Sequence, residues 1–581
     1  MLLQSQYLVD WDDIDYPNFI AWMEHGLSAF PQNTALRYRS GKSKDFDVWT
    51  YERLFTTSKN IARTLLRSGC KDNDRVALWA ENRPEWCAVW LGIVFAGCIA
   101  VPIDFNLPAE DAASILSMAQ VSGIILGQKK ADTADMLKKA CPSITFTPVF
   151  DNDFESFVEK GKLSVEDTEI LPLASSLGKD HAASIIFTSG TTGVAKGVTL
   201  SHYGIIANIN ASIMSLPITE KDVFMGVLPL HHTYPTTCAF LSPLTVGGSL
   251  TICEKVVGKV IIDDTRDSGG TIVIAVPILY DKLMGGLRQG FKAKGAIVHT
   301  LVSTLCGISR FFRNVFKNHA AGEVLLAGIR KQAGLGSIRL LVAGGGALDS
   351  KTADFFDDLG FNIVQGYGMS ENGPLITTNT IKYKNNKAAG LVVKYTELKI
   401  LDKGSDGIGE IAVKSPSLML GYYNNPEATK DVFTEDGFLK TGDLGYLDDD
   451  GFLFITGRLK NLIVTAGGKN IYPEEIESYF TGNPILSQIL VLPRKGSKGE
   501  EIAAIFVPDY EYLKTTYGEK AKDDSFVATL IDEYAAKVNK TLISFKKLAS
   551  WGIRKTEFEM TATKKIRRFL YKDYEKALAG D

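Results

Sequence analysis

The residues best suited to chemistry lie in one short run, Thr188-Ser-Gly-Thr-Thr-Gly-Val-Ala-Lys-Gly197, preceded by the apolar Ser184-Ile-Ile-Phe187 and followed by Ser201-His202. Glycines let a backbone approach a phosphate closely, hydroxyls and amides donate to its oxygens, and a lysine adds a mobile positive charge. Thr188, Ser189, Gly190, Thr191, Thr192, Gly193 and Lys196 are therefore expected to hold phosphate. The spacing is not that of a Walker loop, which needs Gly, four residues, then Gly-Lys-Ser/Thr. Counted from Gly190, Ala195 stands at the second glycine and Gly197 at the hydroxyl position.

Four further stretches follow in order: Gln365-Gly-Tyr-Gly-Met-Ser-Glu371, Thr441-Gly-Asp443, Gly457-Arg-Leu-Lys-Asn-Leu-Ile463 and Thr561-Ala-Thr-Lys-Lys565. Together with the first run they resemble, across about residues 25–570, the motifs of the adenylate-forming superfamily, which includes acyl-CoA synthetases, nonribosomal peptide synthetase adenylation domains and firefly luciferase. The resemblance implies a role for each. Gly366, Tyr367 and Gly368 would form the adenine site, with the Tyr367 ring on the base; Ser370 would replace the family's usual threonine at the α-phosphate; Glu371, with Thr191, would hold magnesium. A hard cation suits a carboxylate, and a planar base suits a flat apolar face. Asp443 and Arg458 would contact the ribose, Lys460 would be the hinge, and Lys565 the lysine that bridges substrate carboxylate and α-phosphate. Lys564 stands where the family has glycine.

A protein of this family makes no covalent bond to its substrate. The resemblance implies that a carboxylate attacks the α-phosphate of Mg-ATP to give acyl-AMP and pyrophosphate, the protein supplying position and charge neutralisation through Lys565, Glu371, Thr191 and Lys196. The C-terminal domain then swings about the hinge and admits a thiol. Ala466-Gly-Gly-Lys-Asn-Ile-Tyr-Pro473 fits that second step, since Gly467 and Gly468 leave room for a pantetheine arm, and coenzyme A is the expected acceptor. Fatty acyl-AMP ligases, which pass the acyl group to a carrier protein, typically have bulkier, Arg-containing sequence there. The sequence also admits a non-catalytic acyl- or nucleotide-binding protein, or a membrane scaffold.

Three features point to a long-chain fatty acid. Leu228-Pro-Leu-His-His-Thr-Tyr234 is similar to bacterial long-chain acyl-CoA synthetases, with His232 near the acyl entrance; the competing reading is a structural, hydrogen-bonded histidine. Val342-Ala-Gly-Gly-Gly-Ala-Leu348 resembles the small-residue run beside acyl chain and adenine, which assigns Gly344 to the acyl group and Gly345 and Gly346 to the nucleotide. Residues 280–331 carry nine basic side chains against Asp281 and Glu323, a net charge of plus 7 interleaved with apolar runs. Such helices either rest on an anionic membrane surface, here through 282–331, or are the solvated face of helices packed on the body.

The elements that must position these residues alternate. Tyr51 to Ser68, Glu110 to Gln120 and Asp349 to Leu359 read as helices; Arg75–Trp79, Gly123–Leu126, Gly270 to Val276 and Ile338 to Val342 read as short apolar strands. Such βαβ alternation predicts a parallel sheet covered on both faces. After about Gly390 the pattern turns to hairpins, and after Arg458 to strands mixed with amphipathic helices. The expected fold is a large α/β body of several subdomains, residues 1–458, with a small mobile α+β domain, residues 459–581.

Composition agrees. The 581 residues are 45% hydrophobic, with Lys+Arg 64 against Asp+Glu 67, which excludes wholesale disorder and a whole-chain polyanion binder such as a nucleic-acid protein. Seven dispersed cysteines form no Cys-x-x-Cys pair and read as reduced core thiols in a cytoplasmic protein, any peripheral contact being with the inner face of a membrane. The N-terminus lacks the basic start and apolar core of a secretory signal. Trp86 to Ile103 is 18 uncharged residues, long enough to cross a bilayer, but Ala96-Gly97 is a helix stop, so a buried helix followed by a buried strand is expected.

Overall fold

A computed structural model describes residues 18–41, 43–162, 177–189, 195–316, 320–464, 470–480, 482–496, 499–560 and 566–579. The parallel β-structure expected of the multi-subdomain body is present as two sheets. One has nine strands, in the order Leu391–Val392, Leu375–Thr378, Ile363–Gly368, Leu340–Ala343, Ile272–Ala275, Val223–Gly226, Ser249–Ile252, Thr34–Tyr38, Asp47–Thr50. The other has six: Gly421–Tyr422, Ala195–Ser201, Ala182–Ser189, Ile99–Pro102, Arg75–Trp79, Gly123–Leu126. In both, the central strands pair in parallel and antiparallel strands close an edge. The periodicity of a strand reports which of its residues are buried, not which neighbour it pairs with, so two sheets and one read alike in sequence.

Local signals set the elements that matter for the site. Thr50 caps the helix Tyr51–Arg67 by accepting from the Arg53 amide, and Leu54, Ile61 and Leu65 are its buried face. Pro84, whose fixed φ suits a first turn, begins the helix Pro84–Phe95, and Gly97, at φ 72°, ends it with Cys98 N donating to Ile93 O. The strand Ile99–Pro102 follows at once, so the uncharged stretch is a core helix and a core strand. Among the described residues no helix is long and apolar enough to cross a membrane.

A four-stranded antiparallel sheet, Glu397–Leu401, Gly409–Lys414, Leu439–Leu447 and Leu453–Arg458, follows the body. Beyond it the described chain forms its own apolar clusters, one running from Ile463 to Leu548 and the other from Leu490 to Ala577, around the sheet Leu486–Gly496, Gly499–Pro508 and Ser550–Ile553. The helices Pro277–Ala293 and Ala296–Phe316 cover one face of the nine-stranded sheet, where Tyr280, Met284 and Val302 join Val273, Leu341 and Ile363 in one cluster.

Candidate active site

A cavity of 1110 Å³ opens where the two sheets, the four-stranded sheet and the C-terminal segment meet. Thr188 and Lys196 reach it from the six-stranded sheet; Gly344, Gly345, Gly366, Tyr367, Gly368, Ser370 and Glu371 from the nine-stranded one; Arg458 and Lys460 from the end of the last antiparallel strand; His232 from the segment before the helical turn Pro235–Leu241. Gly346 lies beside Pro277 behind this wall, and Asp443 is buried behind Tyr367 and Arg458. Residues as far apart in sequence as Asp104 and Phe569 thus line one cavity.

The phosphate-suited run sits at the end of a hairpin. Ser189 pairs with Ala195 and Thr188 with Lys196 across antiparallel strands. A Walker loop leads into a helix, so this pairing accounts for the spacing mismatch. Gly190, Thr191, Thr192 and Gly193, the side chain of Ser189, Gly467, Gly468 and Lys565 lie outside the described residues.

Lys196 Nζ stands 4.7 Å from the centre of the Tyr422 ring, and the Tyr422 hydroxyl donates to Glu371 Oε1 at 2.9 Å. Burial and the neighbouring carboxylate push the Tyr422 phenol well above its ordinary range, so it stays a donor. The Glu371 backbone is held too, its carbonyl accepting from Met419 N at 2.8 Å. Among the described residues there is no cluster of three or more His, Cys, Asp or Glu side chains set for a metal. A single carboxylate beside the phosphate-suited strands would fit magnesium that arrives on a nucleotide, because Mg²⁺ keeps waters and takes most of its other ligands from substrate phosphates.

Asp443 and Arg458 face each other in paired antiparallel strands, and Arg458 Nε lies 3.0 Å from Asp443 Oδ1. The Tyr367 hydroxyl donates to Asp443 Oδ2 at 2.7 Å, while Asp443 N donates to Thr441 Oγ1 at 3.1 Å. Burial raises the Tyr367 phenol, so it also remains protonated. A carboxylate has about four acceptor sites, leaving Asp443 capacity for further hydroxyls. Gly368 passes so close to Pro374 that an added Cβ would lie 2.2 Å from its carbonyl oxygen, and a Cβ on Gly344 would lie 2.6 Å from the Tyr234 ring. Both positions exclude a side chain.

Lys460 is half-buried, and burial together with the Arg458 charge pushes its amine down to about 8. The His231 and His232 rings lie with centres 4.1 Å apart and planes tilted by 52°, and burial lowers both below the ordinary histidine range. His231 Nε2 is 3.7 Å from Asp104 Oδ1, beyond hydrogen-bond distance, so the pair is read as neutral histidines. The Nε2 atoms of both rings lack a hydrogen-bond partner among the described residues, so at that atom His232 is not a satisfied structural histidine.

Sequence reasoning missed Tyr422, His231 and Asp104, and also Arg567 and Phe569, which enter the cavity from the C-terminal segment. It also missed an apolar limb. Ile272 and Ile274 from one strand and Leu340 and Val342 from its neighbour line it by alternation, opposite Ser212, Leu216 and Ile218. From Gly344 to Leu340 the limb follows four residues of strand, about 13 Å at the usual rise. The insertion helices lie on the other face of this sheet, against Val273 and Leu341.

A family model described as AMP-binding enzyme matches residues 23–423. The long-chain-fatty-acid–CoA ligase FadD15 of Mycobacterium bovis is 27% identical over 560 residues, covering 90% of each chain. The long-chain-fatty-acid–CoA ligase heimdall of Drosophila melanogaster is 29% identical over 464 residues, 75% of this chain and 68% of that one. The crystal structure of the anthranilate CoA ligase AuaEII with anthranoyl-AMP superposes with a TM-score of 0.77 at 20% identity, over 97% of this chain and 98% of that one, which shows a shared fold.

Proposed function

The chain belongs to the AMP-binding enzyme family, and from that membership we propose that it is a long-chain fatty acid–CoA ligase. The observation that carries the chain length is the apolar limb leading from the Lys196–Glu371 wall down to Leu340. A bilayer's hydrocarbon core is about 30 Å across and holds two acyl chains end to end, so one chain needs about 15 Å. The limb matches most of that length, and a short acid would leave it unfilled. Similarity to the two fatty acid ligases supports the same reading.

In this proposal the acid lies in the limb with its carboxylate at the wall. Thr188 and Lys196 face the β- and γ-phosphates, and Ser370 the α-phosphate. Glu371, oriented by Tyr422, would hold nucleotide-borne magnesium together with Thr191, the ion supplying charge neutralisation at the phosphates. Tyr367 presents its face to adenine while its hydroxyl braces Asp443 for the ribose, with Arg458 on the opposite oxygen. The carboxylate oxygen forms a bond to the α-phosphorus as the bond to the β-phosphate bridging oxygen breaks, giving acyl-AMP and pyrophosphate. No protein nucleophile is required, so the contribution is position and fixed charge. Lys565 is assigned to the reacting phosphate, and Gly467 and Gly468 to the pantetheine path. The body 1–458 and the cap 459–581 are taken to pivot at Lys460, after which the thiol attacks the acyl carbonyl and AMP leaves. An acid of this length partitions into bilayers, so the reading includes peripheral membrane contact through residues 282–331.

The test is pyrophosphate release over acids of rising chain length, with and without coenzyme A. Rates should rise towards palmitate, with thioester formed only when coenzyme A is present. Strong turnover with acetate or coumarate and none with palmitate would reject the long-chain assignment. Lys565→Ala should abolish acyl-AMP formation while ATP still binds.

A further inference from the structure

The helix Ala296–Phe316 is apolar on two faces: Val298, Val302, Leu305 and Cys306 pack on the body, and a second apolar face is left outside. Ile297, Leu301, Ile308, Phe311, Phe312 and Val315 are all exposed, Ile297 at 87% and Val315 at 57%. At 3.6 residues per turn these six fall within an arc of about 100°. The opposite face carries buried Val302 and Ser309 together with Arg313, whose side chain is only 11% exposed. Arg313 Nη2 reaches Asp358 Oδ1 at 3.0 Å, Arg310 Nε donates to Asp358 Oδ2 at 3.0 Å from the flank, and Lys384 closes the group on Asp357. Three cations against Asp354, Asp357 and Asp358 thus clamp the helix to the body and fix its rotation. Arg313 is thus turned inward, while Arg310 stays largely exposed and holds Asp358 from the flank.

Outward, an apolar stripe faces solvent. Phe311, Phe312 and Phe316 pack on one another, with ring centres 5.6 to 6.0 Å apart, and bury little against the body. Exposed apolar area of this extent is costly in water and marks a contact surface. The charges beside it identify the occupant. Lys292, in the last turn of the preceding helix, and Lys294, just beyond its end, are exposed shortly before Ile297, and Lys317 follows Phe316 in the sequence. The helix itself contains no Asp or Glu, and Asp281 on the preceding helix is engaged by Thr352 Oγ1 at 2.6 Å. A second copy docked here would set Lys292 and Lys294 against the same lysines or, in the reverse orientation, toward the end that carries exposed Arg310, which disfavours association.

We propose that the stripe Ile297–Val315, bounded by Lys292 and Lys294, is a docking face for an anionic lipid surface, with the helix lying in the interface rather than spanning it. It deepens the membrane contact named above and places it across the nine-stranded sheet from the apolar limb, so the contact anchors the enzyme and does not itself form the acyl entrance.

The test is co-flotation of the full-length protein with vesicles of phosphatidylcholine alone and of phosphatidylcholine mixed with phosphatidylglycerol. It is run without ATP, acid or coenzyme A, so its outcome is separate from that of the ligase reading. Wild-type protein is expected to float with the mixed vesicles and far less with the neutral ones. The exposed triple substitution Leu301→Glu, Phe311→Glu, Val315→Glu should abolish flotation and retain the wild-type circular dichroism. Lys292→Gln with Lys294→Gln should weaken binding to mixed vesicles about thirty-fold, on the order of a few-fold per surface lysine. Flotation of the triple variant equal to wild type would overturn the proposal. So would a wild-type dimer in sedimentation that the triple substitution dissociates while neither protein binds vesicles.

Discussion

Tyr422 holds Glu371 in place, its hydroxyl 2.9 Å from Oε1, and the same ring lies 4.7 Å from Nζ of Lys196. Tyr422 is on the edge strand of the six-stranded sheet, whereas Glu371 follows the strand Ile363–Gly368 of the nine-stranded one. One aromatic side chain therefore couples two sheets at the point where nucleotide phosphates are proposed to sit.

Tyr422→Phe keeps the ring over Lys196 and removes the donor to Glu371. A hydrogen bond to a charged group contributes about 1.5 kcal/mol or more, so the KM for Mg-ATP should rise roughly ten-fold. The KM for the acid should change little. Pyrophosphate exchange across a magnesium series reads both, and an unchanged ATP dependence would detach Tyr422 from the metal site.

Lys460, lowered to about 8, is about one quarter neutral at pH 7.5, whereas an ordinary lysine is essentially all charged. It should therefore be among the first lysines modified by an amine-acylating reagent at that pH, as mapped by peptide mass spectrometry. The stability linkage has a definite sign. Between about pH 8 and the ordinary lysine value the unfolded chain binds a proton that the folded chain does not, so this residue's contribution to stability rises with pH across that window and is flat below it. Lys460→Gln should remove that slope. Because the side chain is half exposed, solvent screening keeps the effect modest.

His202 begins the helix His202–Ser215, is fully buried, and has both ring nitrogens without hydrogen-bond partners among the described residues. Burial, assisted by His181, lowers it to about 3. Below the ordinary histidine value the unfolded chain takes up a proton that the folded chain refuses, so stability falls as pH drops from about 6.5 towards 3. His202→Leu should reduce the loss of melting temperature between pH 7.5 and 5. Identical losses in the two proteins would refute the assignment.

Ile218 lines the far end of the apolar limb. Ile218→Trp should shorten the limb, lowering kcat/KM for palmitate by about ten-fold or more while sparing octanoate, since an overfilled site costs at least 1–3 kcal/mol. Equal effects on both acids would show that the chain runs elsewhere.

Much of the local architecture was readable without coordinates. The helix after Thr50, the stop at Ala96-Gly97 and the short β-branched strands follow from capping, glycine and periodicity, all carried by neighbours in the chain. Thr188 and Lys196 were picked out by residue type, because phosphate chemistry restricts which side chains serve, and Glu371 and Arg458 by resemblance to a family's motifs.

Folding alone decided what depends on distant pairing. The strands divide between two sheets, a partition that the hydrophobic pattern does not carry because it holds no register between strands. Tyr422 lies 51 residues from Glu371 in an unremarked Gly-Tyr pair, and the apolar limb is lined by alternate residues whose partners across the cavity come from a different helix. The rotation of Ala296–Phe316 is the sharpest case. Its composition is that of a basic amphipathic helix, yet Asp357 and Asp358, more than 40 residues onward, draw Arg313 inward and leave the phenylalanines facing out. A helix has two faces on offer, and which one meets the body is settled by the partners the body presents.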